Sequence, residues 1–126
     1  MTNPPRLSAA EWEVMKVVWR RSACMAQDVI DDLAGLKQWE PSTVKTLLNR
    51  LIRKGALNHR KHGKAYLYSA AVDEEACRTV ETNSLLQRVF DGAFSPMVAH
   101  FVRSRKLTKK ELAELEALLR SERSGK

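Results

Sequence analysis

The chain has two cysteines, and Cys24 and Cys77 lie 53 positions apart. Neither sits in a CxxC or a Cys/His pair with metal spacing, so a disulfide framework and a structural zinc site are both excluded. Both read as small, reduced, buried residues. There are 5 glycines, and none builds a phosphate-cradling loop. His59, His62 and His100 are scattered, and no HExxH motif or nucleophile–base pairing occurs. An enzyme therefore has no residues to stand on, and no cofactor or metal is expected. Aromatic residues make up only 6%, and Trp12 and Trp19 fall on an apolar stripe, which marks core rather than base-stacking platforms. No apolar run approaches the roughly 18 residues of a membrane span, and Met1 to Arg6 lacks an apolar leader region. No direct membrane association is expected, and the protein is placed in the cytoplasm.

Acidic residues are also scarce, but only in one half. Residues 1–72 carry 12 Lys/Arg against 6 Asp/Glu, whereas residues 73–126 carry 10 against 9. Almost all of the net charge of +7 therefore lies in the first part. Within residues 37–64 there are 8 basic residues and a single acid, Glu40. Such concentration suits a polyanionic partner.

Leu7-Ser8-Ala9-Ala10-Glu11-Trp12 is a helix start, with Ser8 and Glu11 as a capping box and Leu7 and Trp12 at the staple positions. A first helix is predicted over residues 9–20 and a second over 26–36, the latter with poor caps in Cys24 and Met25. Pro41 opens a third, which runs to Lys54 and stops at Gly55. Leu57–Lys61 and Ala65–Ala70 then read as two strands joined through His62-Gly63-Lys64. Three helices and a hairpin make a winged helix-turn-helix. The fold class is mainly α with a small β-hairpin wing, in a DNA-binding domain over residues 1–72.

Residues 73–126 read as a three-helix dimerisation region. Asp73 caps a helix to Phe90 that carries Leu85, Leu86, Val89 and Phe90. Ser95-Pro96 opens a short helix with Met97, Val98, Phe101 and Val102, and a capping box at Thr108–Glu111 precedes Leu112, Leu115, Leu118 and Leu119. Only the end of the chain, from Ser121, is expected to fray. Three short helices alone bury too little apolar surface, and a second copy of the chain is the simplest remedy.

The third helix carries the function. Val44, Leu47, Leu48 and Leu51 follow i, i+3, i+4, i+7 and define a buried face. The opposite face presents Ser42, Thr46, Asn49 and Arg53, flanked by Lys45, Arg50 and, more sideways, Thr43. Arg can bridge guanine O6/N7 and Asn can bridge adenine N6/N7 in a major groove, while hydroxyls anchor phosphates. Arg60, Lys61 and Lys64 in the hairpin suit phosphate or minor-groove contact. Double-stranded DNA is the expected partner. Two other readings compete. One is a winged-helix module that binds an acidic protein, and the other is a repressor released by a small effector held between wing and dimer helices.

Leu7 to Met15 through Trp19, Thr43 to Leu51 through Gly55-Ala56-Leu57, and the wing segment Lys64-Ala65-Tyr66-Leu67-Tyr68 resemble the BlaI/MecI/CopY family of penicillinase repressors. The likeness spans nearly the whole chain. It implies a homodimeric transcriptional repressor whose winged helices bind an inverted-repeat operator. It further implies repression relieved by a signal, which in the β-lactam branch passes through a membrane sensor-protease to repressor cleavage. The copper branch uses a C-terminal cluster of paired CxC motifs, and Ser121 to Lys126 contains none. The family's cleaved Asn-Phe bond matches His100-Phe101 here, a departure at the first position.

Overall fold

The computed structural model describes residues 4–125. Helix α1 (Ala9–Arg21) starts at the expected box: the Glu11 amide donates to Ser8 Oγ at 3.1 Å and the Ser8 amide donates to Glu11 Oε1 at 2.7 Å. Val14, Met15, Val17 and Val18 form its buried face. Trp12 and Trp19 are half-buried beside them, their rings 5.7 Å apart, and Trp19 Nε1 donates to the Val72 carbonyl at 3.1 Å.

A two-residue strand, β1 (Ala23–Cys24), follows and was not expected from the sequence. It is too short to show alternation and exists only because β3 (Ala65–Ala70) pairs with it, Cys24 opposite Tyr68. Helix α2 (Ala26–Leu33) is sounder at its start and shorter at its end than predicted. Met25 has no capping oxygen, but its amide donates to the Asp28 carboxylate at 2.9 Å, the reaching-back half of a capping box. The end falls short of residue 36 because Ala34, Gly35 and Leu36 are all exposed, so nothing anchors another turn.

Helix α3 (Pro41–Lys54) has the predicted bounds. Gly55 stops it in the left-handed region, φ +82°, with the Ala56 amide returning to the Leu51 carbonyl at 2.9 Å. Strand β2 (Leu57–His62) pairs antiparallel with β3, and the sheet order is β1-β3-β2. His62 opposes Ala65, so the turn is Gly63-Lys64 alone, with Gly63 at φ +65°.

Helix α4 (Glu74–Phe90) is capped by Asp73, whose carboxylate accepts from the Ala76 amide at 3.1 Å. Its first half belongs to the winged-helix core: Cys77 is buried there, and Glu81 accepts from Trp12 Nε1 at 3.4 Å. The first compact unit accordingly ends at Ser84 and the second begins at Leu85, later than the boundary at residue 72 read from the sequence. The second unit adds α5 (Phe94–Ser104) and α6 (Lys109–Ser124). Helix α5 starts one residue before Ser95, leaving Pro96 third, where an amide would have no helical partner anyway. Helix α6 has its capping box, with the Glu111 amide 3.0 Å from Thr108 Oγ1, and remains helical to Ser124, past the point expected to fray. Among the described residues no helix is long and apolar enough to cross a membrane.

Candidate nucleic-acid interface

Every side chain proposed for the reading face of α3 is exposed: Ser42, Thr43, Lys45, Thr46, Asn49, Arg50 and Arg53. The helix is held from behind, where Val44, Leu47, Leu48 and Leu51 are buried against α1 and α2. Its last turn is tied down separately. Lys54 Nζ donates to Glu11 Oε1 at 2.6 Å and to the Arg6 carbonyl at 2.9 Å. Glu11 is fully buried, and its Oε2 has no hydrogen-bond partner. Burial alone would raise its pKa, but the Lys54 ammonium and the Ser8 amide hold it below the ordinary carboxylate value. The sequence showed Glu11 as a cap. Its pairing with a lysine 43 positions away has no local signal.

The interface cations are unneutralised. Among the described residues, Lys45, Arg50, Arg53, Arg60, Lys61 and Lys64 make no ion pair. Arg20 and Arg21, outside this surface, both bind Asp32, at 3.0 and 2.7 Å. The Arg21 guanidinium, with Arg20 behind it, holds the Asp32 carboxyl down to about 2. On α1, Lys16, Arg20 and Arg21 are thus each paired with a carboxylate, whereas the cations on the outward face of α3 and on the wing are left open.

The predicted residues fall into separate sets. Ser42, Thr43, Thr46 and Arg50 line a shallow depression of about 250 Å³ on α3. There the Thr46 hydroxyl donates to the Ser42 carbonyl at 2.9 Å, which commits its proton and leaves the oxygen free to accept. Lys45 and Asn49 instead join Lys64 of the wing around a groove of about 460 Å³, whose far wall comes from the start of α2. Met25, Ala26 and Gln27 at that wall were not singled out from the sequence, which showed α2 only as a supporting helix. Arg53, Arg60 and Lys61 line neither concavity. Arg60 opposes Leu67 in the hairpin and Lys61 opposes Tyr66, so adjacent cations take opposite faces of the wing. Lys61 Nζ sits 5.4 Å from the Tyr66 ring centre, a cation–π contact that lends the long side chain a resting place.

In the second unit Met97 is the sole buried residue among the described residues. Val89, Phe101, Val102, Leu112, Leu118 and Leu119 are exposed, and Leu85, Leu86, Phe90, Val98 and Leu115 are half-buried. Phe94, 64% exposed, belongs with this apolar set but precedes the Ser95-Pro96 helix start that the sequence signals. With Val98 and Val102 it lines a depression of about 370 Å³. His100 and Phe101 are both exposed within α5, the His100 ring 5.9 Å from Phe90.

Comparison with known proteins adds four findings. The family model described as penicillinase repressor matches residues 7–121. The chain is 38% identical to the penicillinase repressor of Bacillus licheniformis over 126 residues, covering 100% of this chain and 98% of the relative. It is 32% identical over 113 residues to the methicillin resistance regulatory protein MecI of Staphylococcus aureus strain N315, covering 90% and 92%. Among solved structures, it is similar to the monomeric form of Bacillus licheniformis BlaI in complex with the blaP half-operator. That match has 45% identity and a TM-score of 0.53, over 60% of this chain and 93% of that one.

Proposed function

The chain belongs to the penicillinase repressor family, and we propose that it represses transcription as a homodimer gripping an inverted-repeat operator. The face of α3 enters the major groove, and the wing, through Arg60, Lys61 and Lys64, follows the backbone or minor groove. The observation that carries the reading is that Lys45, Arg50 and Arg53 of α3 and Arg60, Lys61 and Lys64 of the wing stand exposed and, among the described residues, unpaired with any carboxylate. Protein interfaces deplete lysine at their centres, so an acidic protein partner fits this surface less well than a duplex. The chain acts here as a binding protein rather than an enzyme, in the compartment that holds its operator.

Dimerisation follows from the second unit, which leaves its apolar side chains uncovered. A two-fold pair of chains places two identical reading helices on an inverted repeat. Relief of repression by a cut at His100-Phe101 agrees with this arrangement, because the cut would part α6 from the C-terminal half of α4.

The decisive experiment is the salt dependence of binding to an operator selected from a random-sequence pool. With about six to ten phosphate contacts per dimer, affinity is expected to fall ~10³–10⁵-fold between 50 and 200 mM salt. A flat profile would remove the DNA reading.

A further inference from the structure

The groove between α2, α3 and the wing has a composition that DNA binding does not explain. Its polar members, Gln27, Lys45, Asn49 and Lys64, serve a phosphodiester well. Its apolar members do not: Met25, Ile30, Tyr66 and Tyr68 line the same concavity. Met25 is 36% exposed and Tyr66 42%, so these are open apolar surfaces on a face otherwise given to charge. No Asp or Glu lines the groove, and neither lysine is paired with a carboxylate among the described residues. At about 460 Å³ its volume lies in the range of small-molecule sites, which join apolar walls to a few placed polar groups.

Two uncompensated cations in one groove with aromatic and aliphatic side chains define the complementary ligand. It carries one anionic group for Lys45 and Lys64, an acceptor or donor within reach of Asn49, and a flat apolar body to lie against Tyr66 and Met25. We propose that the groove binds a small aromatic carboxylate, and that its occupation excludes the operator. The exclusion rests on the reading that α3 and the wing contact DNA. Lys45, Asn49 and Lys64 would then be shared, so ligand and duplex compete for the same atoms, and by linkage each weakens the other equally. Direct release by a small effector was one of the functions open from the sequence. The site lies between helix-turn-helix and wing, however, not beside the dimer helices.

The test uses the full chain and 2-naphthoate as the probe, with naphthalene-2-carboxamide and inorganic phosphate as controls. Calorimetry on the free protein is expected to show naphthoate binding, with the neutral amide and phosphate each at least about tenfold weaker, since each lacks one half of the recognition. At tenfold excess over its own Kd, naphthoate is expected to weaken operator binding about tenfold for each winged helix engaged. Met25→Ala is expected to leave operator affinity within about twofold while weakening naphthoate about five- to tenfold through lost apolar contact. Tyr66→Ala reads the same loss should Met25→Ala lower the melting temperature. Equal binding of the amide overturns the proposal, as does equal binding of phosphate or simultaneous binding of naphthoate and operator. A protein that binds naphthoate but no DNA would instead sink the repressor reading and leave the groove a ligand site.

Discussion

The two compact units of this chain are built on opposite principles. The first carries a continuous core in which Val14, Met15, Val18, Val29, Leu48 and Leu51 are all fully buried. The second, with three helical segments of good local quality, buries only Met97 among its described residues, and that not fully. Both have well-made caps, the Ser8 and Thr108 boxes being nearly superimposable in distance. Local helix signals are therefore equal in the two units, and the difference is tertiary. A capped amphipathic helix is worth little in water until its apolar face is covered. The winged helix covers its own faces. The C-terminal unit presents them, where the proposed pairing with a second copy would cover them.

The strongest way to break this comparison is to separate the units. A chain ending at Ser84 is expected to fold as a monomer and to lose about 10²–10⁴-fold in operator affinity, because the second half-site no longer benefits from tethering. Nicking the full chain at a protease site placed between His100 and Phe101 is expected to approach the same affinity. A chain ending at residue 72 is expected to fold worse than one ending at Ser84, since it also loses Cys77 from the core and Glu81 from Trp12. Equal sedimentation and affinity for the Ser84 chain and the full chain would contradict the division of labour. At the level of single side chains, Leu48→Ala is expected to destabilise the winged helix by about 2.7–5 kcal/mol in urea unfolding. Leu119→Ala is expected to leave that transition unmoved and to raise the dimer dissociation constant instead, as followed by sedimentation against concentration.

Helices α1 and α3 and the hairpin of the winged domain were legible because each carries its own punctuation: Ser8 and Glu11, Pro41 and Gly55, and Gly63. What stayed hidden depends on partners distant in sequence. Strand β1 is two residues long and owes its existence to Tyr68 and Ser69 across the sheet. The boundary inside α4 is set by Cys77 and Glu81 reaching back to the first unit, and a helix's own period does not reveal which of its turns changes partner. For the interface, the polar face of α3 was readable from periodicity alone. That Lys45 and Asn49 share a groove with Lys64, while Arg50 lies in a depression on α3 itself, depends on how the hairpin folds back. No spacing encodes that.

Within the interface, the division into two concavities makes a finer comparison. Arg50→Ala is expected to lower operator affinity by ~1–3 kcal/mol while sparing random duplex, because a lost base-edge contact removes discrimination. Lys64→Ala is expected to weaken operator and random DNA alike and to reduce the salt slope by about one. Titrating both variants against both duplexes measures this. Uniform loss in both variants would mean that α3 only positions the protein on the backbone.

The smallest expected effect concerns the tie between Lys54 and Glu11, the one buried charge among the described residues. Lys54 is a third exposed, so solvent already shares its charge, and Glu11→Gln is expected to cost only about 1 kcal/mol at neutral pH. The pH dependence isolates it. The folded-state pKa of Glu11 lies below its ordinary 4.5, so its contribution is fully present above 4.5 and is lost as pH falls through the depressed value. Asp32, held to about 2, keeps its charge through most of that window and is common to both proteins. Urea midpoints measured from pH 7 to pH 3 are therefore expected to start apart and to draw together below pH 4.5, as the unfolded chain's Glu11 takes up a proton that the folded carboxylate resists and glutamine never needs. A gap that stays constant to pH 3 would show that the Lys54 contact does not hold Glu11 ionised. The unpartnered Oε2 would then be the dominant fact about this side chain.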